Sequence, residues 1–125
     1  MHVINEKTFN KKKYGSRVTE YVNNNYTQSL ILEEVANHFQ LNKCYFCSVL
    51  KKEMGKTFSQ IVNEIRIEKS KELLLENKFS ILDVALQVGF NNQNYYNMVF
   101  KKEMGMTPLT YRKLNKIDLT KEINN

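Results

Sequence analysis

The sequence predicts an all-α fold, two helix-turn-helix subdomains joined by a long central helix. Three observations carry that expectation. First, Lys51-Lys52-Glu53-Met54-Gly55, with Thr57 two places on, returns as Lys101-Lys102-Glu103-Met104-Gly105 with Thr107. The flanks repeat too: Tyr45, Phe46, Val49 and Leu50 answer Tyr95, Tyr96, Val99 and Phe100. Further upstream, Leu32, Val35, Ala36, Phe39 and Leu41 match Ile81, Val84, Ala85, Val88 and Phe90 once one residue is added in the second copy, so the chain is a tandem duplication. Second, Thr57–Glu76 between the copies has the pattern of one helix. Third, short apolar stripes at helical spacing stand between capping and stop residues in both copies. The expected layout is a basic arm or linker at 1–15, a first subdomain at 16–56, and a connecting helix at 57–77. A second subdomain at 78–115 and a polar tail at 116–125 complete it.

Residues 1–15 are rich in Asn and Lys, include Lys11-Lys12-Lys13 and end at Gly15, which suits a solvated tail, a junction, or an arm along a nucleic-acid backbone. Ser16 is placed to cap a short helix through Val18, Tyr21 and Val22 that lids the first copy and ends in Asn23-Asn24-Asn25. Leu32, Val35, Ala36 and Phe39 then form a one-faced stripe, with Ala36 small enough to admit a following helix. Asn42 caps a second helix, Lys43–Met54, which Gly55 stops. Phe46, Val49 and Leu50 point one way on it, whereas Cys44, Cys47, Ser48 and Lys51 point outward. This is the helix-turn-helix plan.

The connecting helix opens with a Thr57/Gln60 capping pair. Its first stripe, Phe58, Ile61, Val62 and Ile65, would continue onto Lys69 and Glu72, so it stops; a second stripe through Ile67, Ser70, Leu73 and Leu74 takes over on another face. A helix that changes its buried face halfway serves two cores. About 20 residues at roughly 1.5 Å each give a rod near 30 Å. In the second copy Ser80 and Asp83 cap the stripe Ile81, Val84, Ala85, Val88, and Gly89 makes the turn. Asn92 caps Gln93–Met104, with Tyr96, Val99 and Phe100 inward. Asn94, Asn97, Met98 and Lys101 face outward, and Gln93 stands at the exposed N-terminal edge. Thr107-Pro108 opens a last helix through Leu109, Tyr111 and Leu114.

A net charge of +6 favours a polyanionic partner. No 18-residue apolar run is present, so no membrane span is expected. The N-terminus has lysines but no apolar stretch behind them, and two cysteines make no disulfide framework. A cytoplasmic protein is expected. There is no Gly-rich phosphate loop, no nucleophile with a histidine base, and no carboxylate pair outside helix-surface patterns such as Glu68, Lys69 and Glu72. An enzyme is not expected, nor a cofactor. Cys44-x-x-Cys47 puts two thiols on one helix face, but a structural zinc wants four ligands, with only His38 and His2 left to offer. The second copy has asparagines at both cysteine positions, so the fold needs no metal there; a redox-sensing pair is the other thiol reading, and small residues on an exposed binding face are the preferred one.

From about Arg17 to Leu114 the chain resembles the DNA-binding region of the AraC/XylS transcription regulators. The resemblance rests on Tyr45-Phe46 with Leu50 through Gly55, on Arg66-Ile67-Glu68-Lys69 followed by Leu73-Leu74, and on Ile81, Val84-Ala85 and Val88-Gly89-Phe90. It closes with Tyr95-Tyr96, Val99 through Lys102, Gly105 through Pro108, and Tyr111-Arg112. It is closest to the version at the C-terminus of some two-component response regulators. The first unit departs from the pattern at Gln40, often glycine in the family, and at Ile31, where a Ser or Thr cap is usual. Ser48 and Met98 stand where several relatives place an arginine.

The resemblance implies sequence-specific binding of double-stranded promoter DNA and regulation of transcription, more in the manner of an activator. Gln93, Asn94 and Asn97 carry amides suited to adenine, and Met98 and Cys44 could lie on thymine methyls. With Lys43, Cys47 and Ser48 these form the expected base-reading set, which leans toward A·T-rich sites. Lys51, Lys52, Lys101 and Lys102, with the capping residues Asn42 and Asn92, are expected on phosphates, where they position rather than specify. RNA polymerase and a separate N-terminal sensory or receiver domain are the other partners the family suggests. The competing expectation is a protein-interaction module, a decoy or negative regulator that acts on RNA polymerase or on another regulator. Salt-dependent binding to a defined duplex separates the two.

Overall fold

A computed structural model describes the backbone of residues 2–115 and the side chains from Tyr14 to Asn115. Its helices are α1 (His2–Asn25), α2 (Leu32–His38), α3 (Lys43–Met54), α4 (Phe58–Glu76), α5 (Ile81–Gln87) and α6 (Gln93–Met104). Residues 108–115 are helical as well and are termed α7; no strand occurs among the described residues. The chain divides into two compact units, one ending at Val62 and one beginning at Asn63.

In the first unit the core is built by Val18 and Val22 of α1, Val35 and Ala36 of α2, Phe46, Val49 and Leu50 of α3, and Phe58, Ile61 and Val62 of α4. Phe39 fills the corner between α2 and α3, stacked on Phe46 at 6.2 Å, and Phe46 in turn meets the edge of Phe58 at 5.7 Å. The Arg17 guanidinium lies 5.3 Å above the Phe39 ring and 5.4 Å from that of Tyr14. Such cation–π contacts contribute about 0.5–1 kcal/mol near a surface.

The second unit repeats the arrangement with Ile67 and Leu74 of α4, Val84 and Ala85 of α5, Tyr96, Val99 and Phe100 of α6, and the buried Phe90 and Pro108. Both turns close the same way. Leu41 N–H donates to Ala36 O at 3.0 Å and Gln40 N–H to Asn37 O at 2.9 Å; Phe90 N–H donates to Ala85 O at 2.9 Å and Gly89 N–H to Leu86 O at 3.1 Å. This is the Schellman pattern, which needs a left-handed residue after the helix. Gly89 supplies it at φ 104°, whereas Gln40 adopts φ 60° with a side chain attached. The duplication is thus visible down to single hydrogen bonds.

The caps follow the sequence. Thr57 N–H donates to Gln60 Oε1 at 2.8 Å and Gln60 N–H to Thr57 Oγ1 at 3.1 Å. Ser80 and Asp83 form the reciprocal box on α5, while Ile31 caps α2 without any side-chain bond. Gly55 and Gly105 stop α3 and α6 in the left-handed conformation, at φ 69° and 77°.

Two expectations change. α1 begins at His2, not at Ser16, so the helix expected to start at Ser16 runs back through residues 2–15. Gly15 is explained by packing rather than by a break. A Cβ there would stand 3.0 Å from Met54 Cγ and 3.1 Å from Glu53 Oε1, and its N–H donates to that carboxylate at 2.8 Å. In α7 the stripe is rotated: Leu109 and Leu114 are nearly half exposed, at 48% and 47%, and Pro108 is buried in their place. The polar tail expected at 116–125 and the side chains of Lys11, Lys12 and Lys13 lie outside the described residues. No helix among the described residues is long and apolar enough to cross a membrane.

Candidate nucleic-acid interface

Each unit presents one helix with a buried back and an exposed front. On α3 the back is Phe46, Val49 and Leu50, so Cys44, Cys47, Ser48 and Lys51, which follow one another at helical spacing, are left exposed. On α6 the back is Tyr96, Val99 and Phe100, and Asn94, Met98, Lys101 and Lys102 are exposed. Both helices start on an asparagine. Asn42 Oδ1 accepts from Tyr45 N–H and Asn92 Oδ1 from Tyr95 N–H, each at 2.8 Å. That bond fixes the first turn and leaves the amide NH2 of each cap as a donor at the helix start.

The expected reading residues do not all stand alike. Lys43 is exposed, with its Nζ 3.7 Å from Glu33 Oε1 across two exposed side chains, a pairing worth little in water. Cys44, Cys47 and Ser48 are exposed, and both cysteines are free thiols. Among the described residues no group of three His, Cys, Asp or Glu side chains could hold a metal ion. Gln93 is half-buried. Asn97 is half-buried as well, and its Oδ1 is buried with no hydrogen-bond partner among the described residues. Met98 is 61% exposed, an apolar side chain offered to whatever α6 meets. Lys51 and Lys52 close α3, and Lys101 and Lys102 close α6, all four exposed in the last turn.

Sequence reasoning missed the supports behind these faces. Asn63 Nδ2 donates to the Tyr95 hydroxyl at 3.0 Å, which ties α4 to the first turn of α6. The Tyr95 ring meets the edge of Phe90 at 5.8 Å, and the Arg66 guanidinium lies 5.8 Å from the Phe90 ring centre. Burial lowers the Arg66 pKa from its ordinary value, and Tyr95 pulls the other way. In the first unit Gly15 and Glu53 join α1 to the end of α3. Beside them an open groove is lined by Ser16, Thr19 and Glu20 of α1 and by Tyr45, Ser48 and Lys51 of α3. No local pattern announces such pairs, since their members stand 32 and 38 residues apart.

Two capped helices with polar, lysine-tipped fronts, each backed by the preceding helix and a tight turn, define a tandem helix-turn-helix DNA-binding domain. A family model described as a helix-turn-helix domain matches residues 35–114. Among similar proteins, the melibiose operon regulatory protein of Escherichia coli is 35% identical over 82% of this chain and 34% of its own length. The bifunctional transcriptional activator and DNA repair enzyme AdaA of Bacillus subtilis is 31% identical over 82% of this chain and 49% of its own. The solved C-terminal domain of AraT, a response regulator from Geobacillus stearothermophilus, is 34% identical with a TM-score of 0.75, covering 81% of this chain and 84% of that one. The chain belongs to the AraC/XylS family of transcription regulators and corresponds to its DNA-binding region. It spans between a third and a half of the length of these two curated relatives.

Proposed function

We propose that this DNA-binding regulator acts as a transcription activator, with α3 and α6 reading two sites in successive major grooves of one promoter. The observation that carries the reading is the duplication of one exposed, lysine-tipped helix on two equivalent supports. The connecting helix is continuous from Phe58 to Glu76. The name of AdaA, a transcriptional activator, supports the sign of the regulation.

In this reading Lys43, Cys44, Cys47 and Ser48 of α3 and Gln93, Asn94, Asn97 and Met98 of α6 face base edges. Asn42, Lys51, Lys52, Asn92, Lys101 and Lys102 hold phosphates at the two ends of each helix. Amides pair with adenine N6 and N7, and the arginine-poor surface favours A·T-rich half-sites. Half-burial of Asn97 makes it the weaker reader, with Asn94 the stronger. The protein itself supplies no catalysis in this reading. RNA polymerase and a sensory or receiver domain remain the partners the family membership suggests.

Selection of bound duplexes from a random pool tests the proposal. Two contact blocks about 10 base pairs apart are expected. Inserting about half a helical turn between them should abolish high affinity, because one block rotates to the far face. Unchanged affinity after the insertion would refute bipartite reading and leave a single active unit.

A further inference from the structure

We propose that Cys44 and Cys47 form a thiol-modification site on the first reading helix, where a low-molecular-weight disulfide blocks DNA binding. The two thiols lie one turn apart on the exposed front of α3, in the same row as Ser48 and Lys51, and both are free. The second unit is an internal control. It builds the same helix on the same cap and turn with Asn94 and Asn97 at the equivalent positions, so the fold does not require thiols there. Neither sulfur fills a core, because Phe46, Val49 and Leu50 do so. The inference rests on the assignment of α3 to the major groove.

The chemistry is thiol–disulfide exchange. The thiolate of either cysteine attacks one sulfur of the small disulfide. A protein–sulfur to sulfur bond forms, the original bond breaks, and the second small thiolate leaves with the electron pair. The cysteine proton goes to solvent, the protein sulfur is oxidised and the departing thiol is reduced; excess small thiol reverses the step. The first product is a mixed disulfide, and helix geometry disfavours its resolution to an internal bridge. Side chains three apart on a helix hold their Cβ atoms about 5–6 Å apart, whereas a disulfide needs about 3.5–4.5 Å. Closing an internal bridge would therefore require the first turn of α3 to shift.

A helix with its side chains, about 10–12 Å across, already fills a major groove about 12 Å wide. A tripeptide adduct on its front leaves no room, and an adduct of glutathione also brings net negative charge toward the phosphates. Loss of one good base contact alone corresponds to roughly tenfold in affinity.

The test uses the full chain, the duplex recovered by selection, and oxidised glutathione as the probe. Mass spectrometry should locate adducts on Cys44 and Cys47, and affinity should fall about tenfold or more and return with reductant. Circular dichroism should show unchanged helix content. A Cys44→Ala/Cys47→Ala variant, whatever its starting affinity, should not respond to the probe. Adducts with unchanged affinity, absence of adducts, loss of helix on treatment, or an equal response of the double variant would each overturn the proposal. If the untreated protein bound no duplex, the DNA-reading assignment would fail first, and this inference with it.

Discussion

The hydroxyl of Tyr96 sits at the centre of the second core, and its removal gives a test with an unusual sign. Tyr96 is fully buried and its hydroxyl oxygen has no hydrogen bond of good geometry among the described residues. Burial pushes its pKa up to about 12, against the opposing influence of the Ser70 hydroxyl and the Arg112 guanidinium. A buried hydroxyl without a partner costs about 1–3 kcal/mol. The ring contacts, at 5.2 Å to Phe90 and 5.8 Å to Phe100, survive in phenylalanine. Tyr96→Phe is therefore expected to stabilise the protein by about 1 kcal/mol at pH 7, raising Tm by about 4 °C. The pH dependence gives a second reading. Below pH 10 folded and unfolded chains both hold the phenolic proton. Between pH 10 and about 12 the unfolded chain has lost it and the fold retains it, so native stability falls as pH rises. The loss is roughly 2–3 kcal/mol once both have ionised, and the phenylalanine variant lacks it. Urea titrations of the two proteins from pH 7 to 12 measure this, because the lysines they share cancel in the difference. A loss of more than about 1 kcal/mol at pH 7, or parallel pH profiles, would show that the hydroxyl is well bonded and refute the reasoning.

Gln40→Gly relieves a left-handed residue at φ 60°, worth about 1–2 kcal/mol. It costs about 0.5–1 kcal/mol in chain entropy, so urea midpoints should show a net gain of about 0.5–1 kcal/mol. Ser80→Ala removes the bond from Asp83 N–H to Ser80 Oγ, leaves that from the residue-80 N–H to Asp83 Oδ2, and should cost about 1 kcal/mol, whereas Ser80→Gly should cost only a few tenths. Lys51→Ala and Lys101→Ala should weaken binding to every duplex alike and flatten the salt dependence by roughly one unit each. Asn94→Ala should instead cost about 1–3 kcal/mol on the selected site and little on scrambled DNA. Equal losses on both duplexes would make Asn94 a backbone contact.

Much of the fold was legible because its signals are local. The caps at Asn42, Thr57, Ser80 and Asn92 and the stops at Gly55 and Gly105 depend on a few adjacent residues, and each stands where the sequence places it. The change of face within α4 was legible for the same reason. α1 was not, because a lysine run and a glycine look like a break unless Met54 and Glu53 are known to crowd that glycine. α7 misled because two leucines in eight helical residues fit more than one face, and burial of Pro108 decided between them. At the candidate interface the outward row on α3 followed from its buried row. The half-burial of Gln93 and Asn97 did not, since it depends on what surrounds α6 rather than on its own period. Tyr95 was legible as a repeat of Tyr45 and as part of the family resemblance, but its bond to Asn63, which crosses 32 residues, was not.

The central helix has a consequence for how the molecule opens. Phe58, Ile61 and Val62 are buried in one unit and Ile67, Ser70 and Leu74 in the other, while residues 63–66 between them are half-buried. One continuous run of backbone hydrogen bonds thus draws its protection from two separate cooperative units. Amide exchange along α4 should change partway: the first turns follow the opening of the first core, and the last turns follow the second. A lesion confined to one core, such as Leu50→Ala or Phe100→Ala, would then fray α4 from one end only. The four residues in between would exchange at the pace of whichever unit opens more easily.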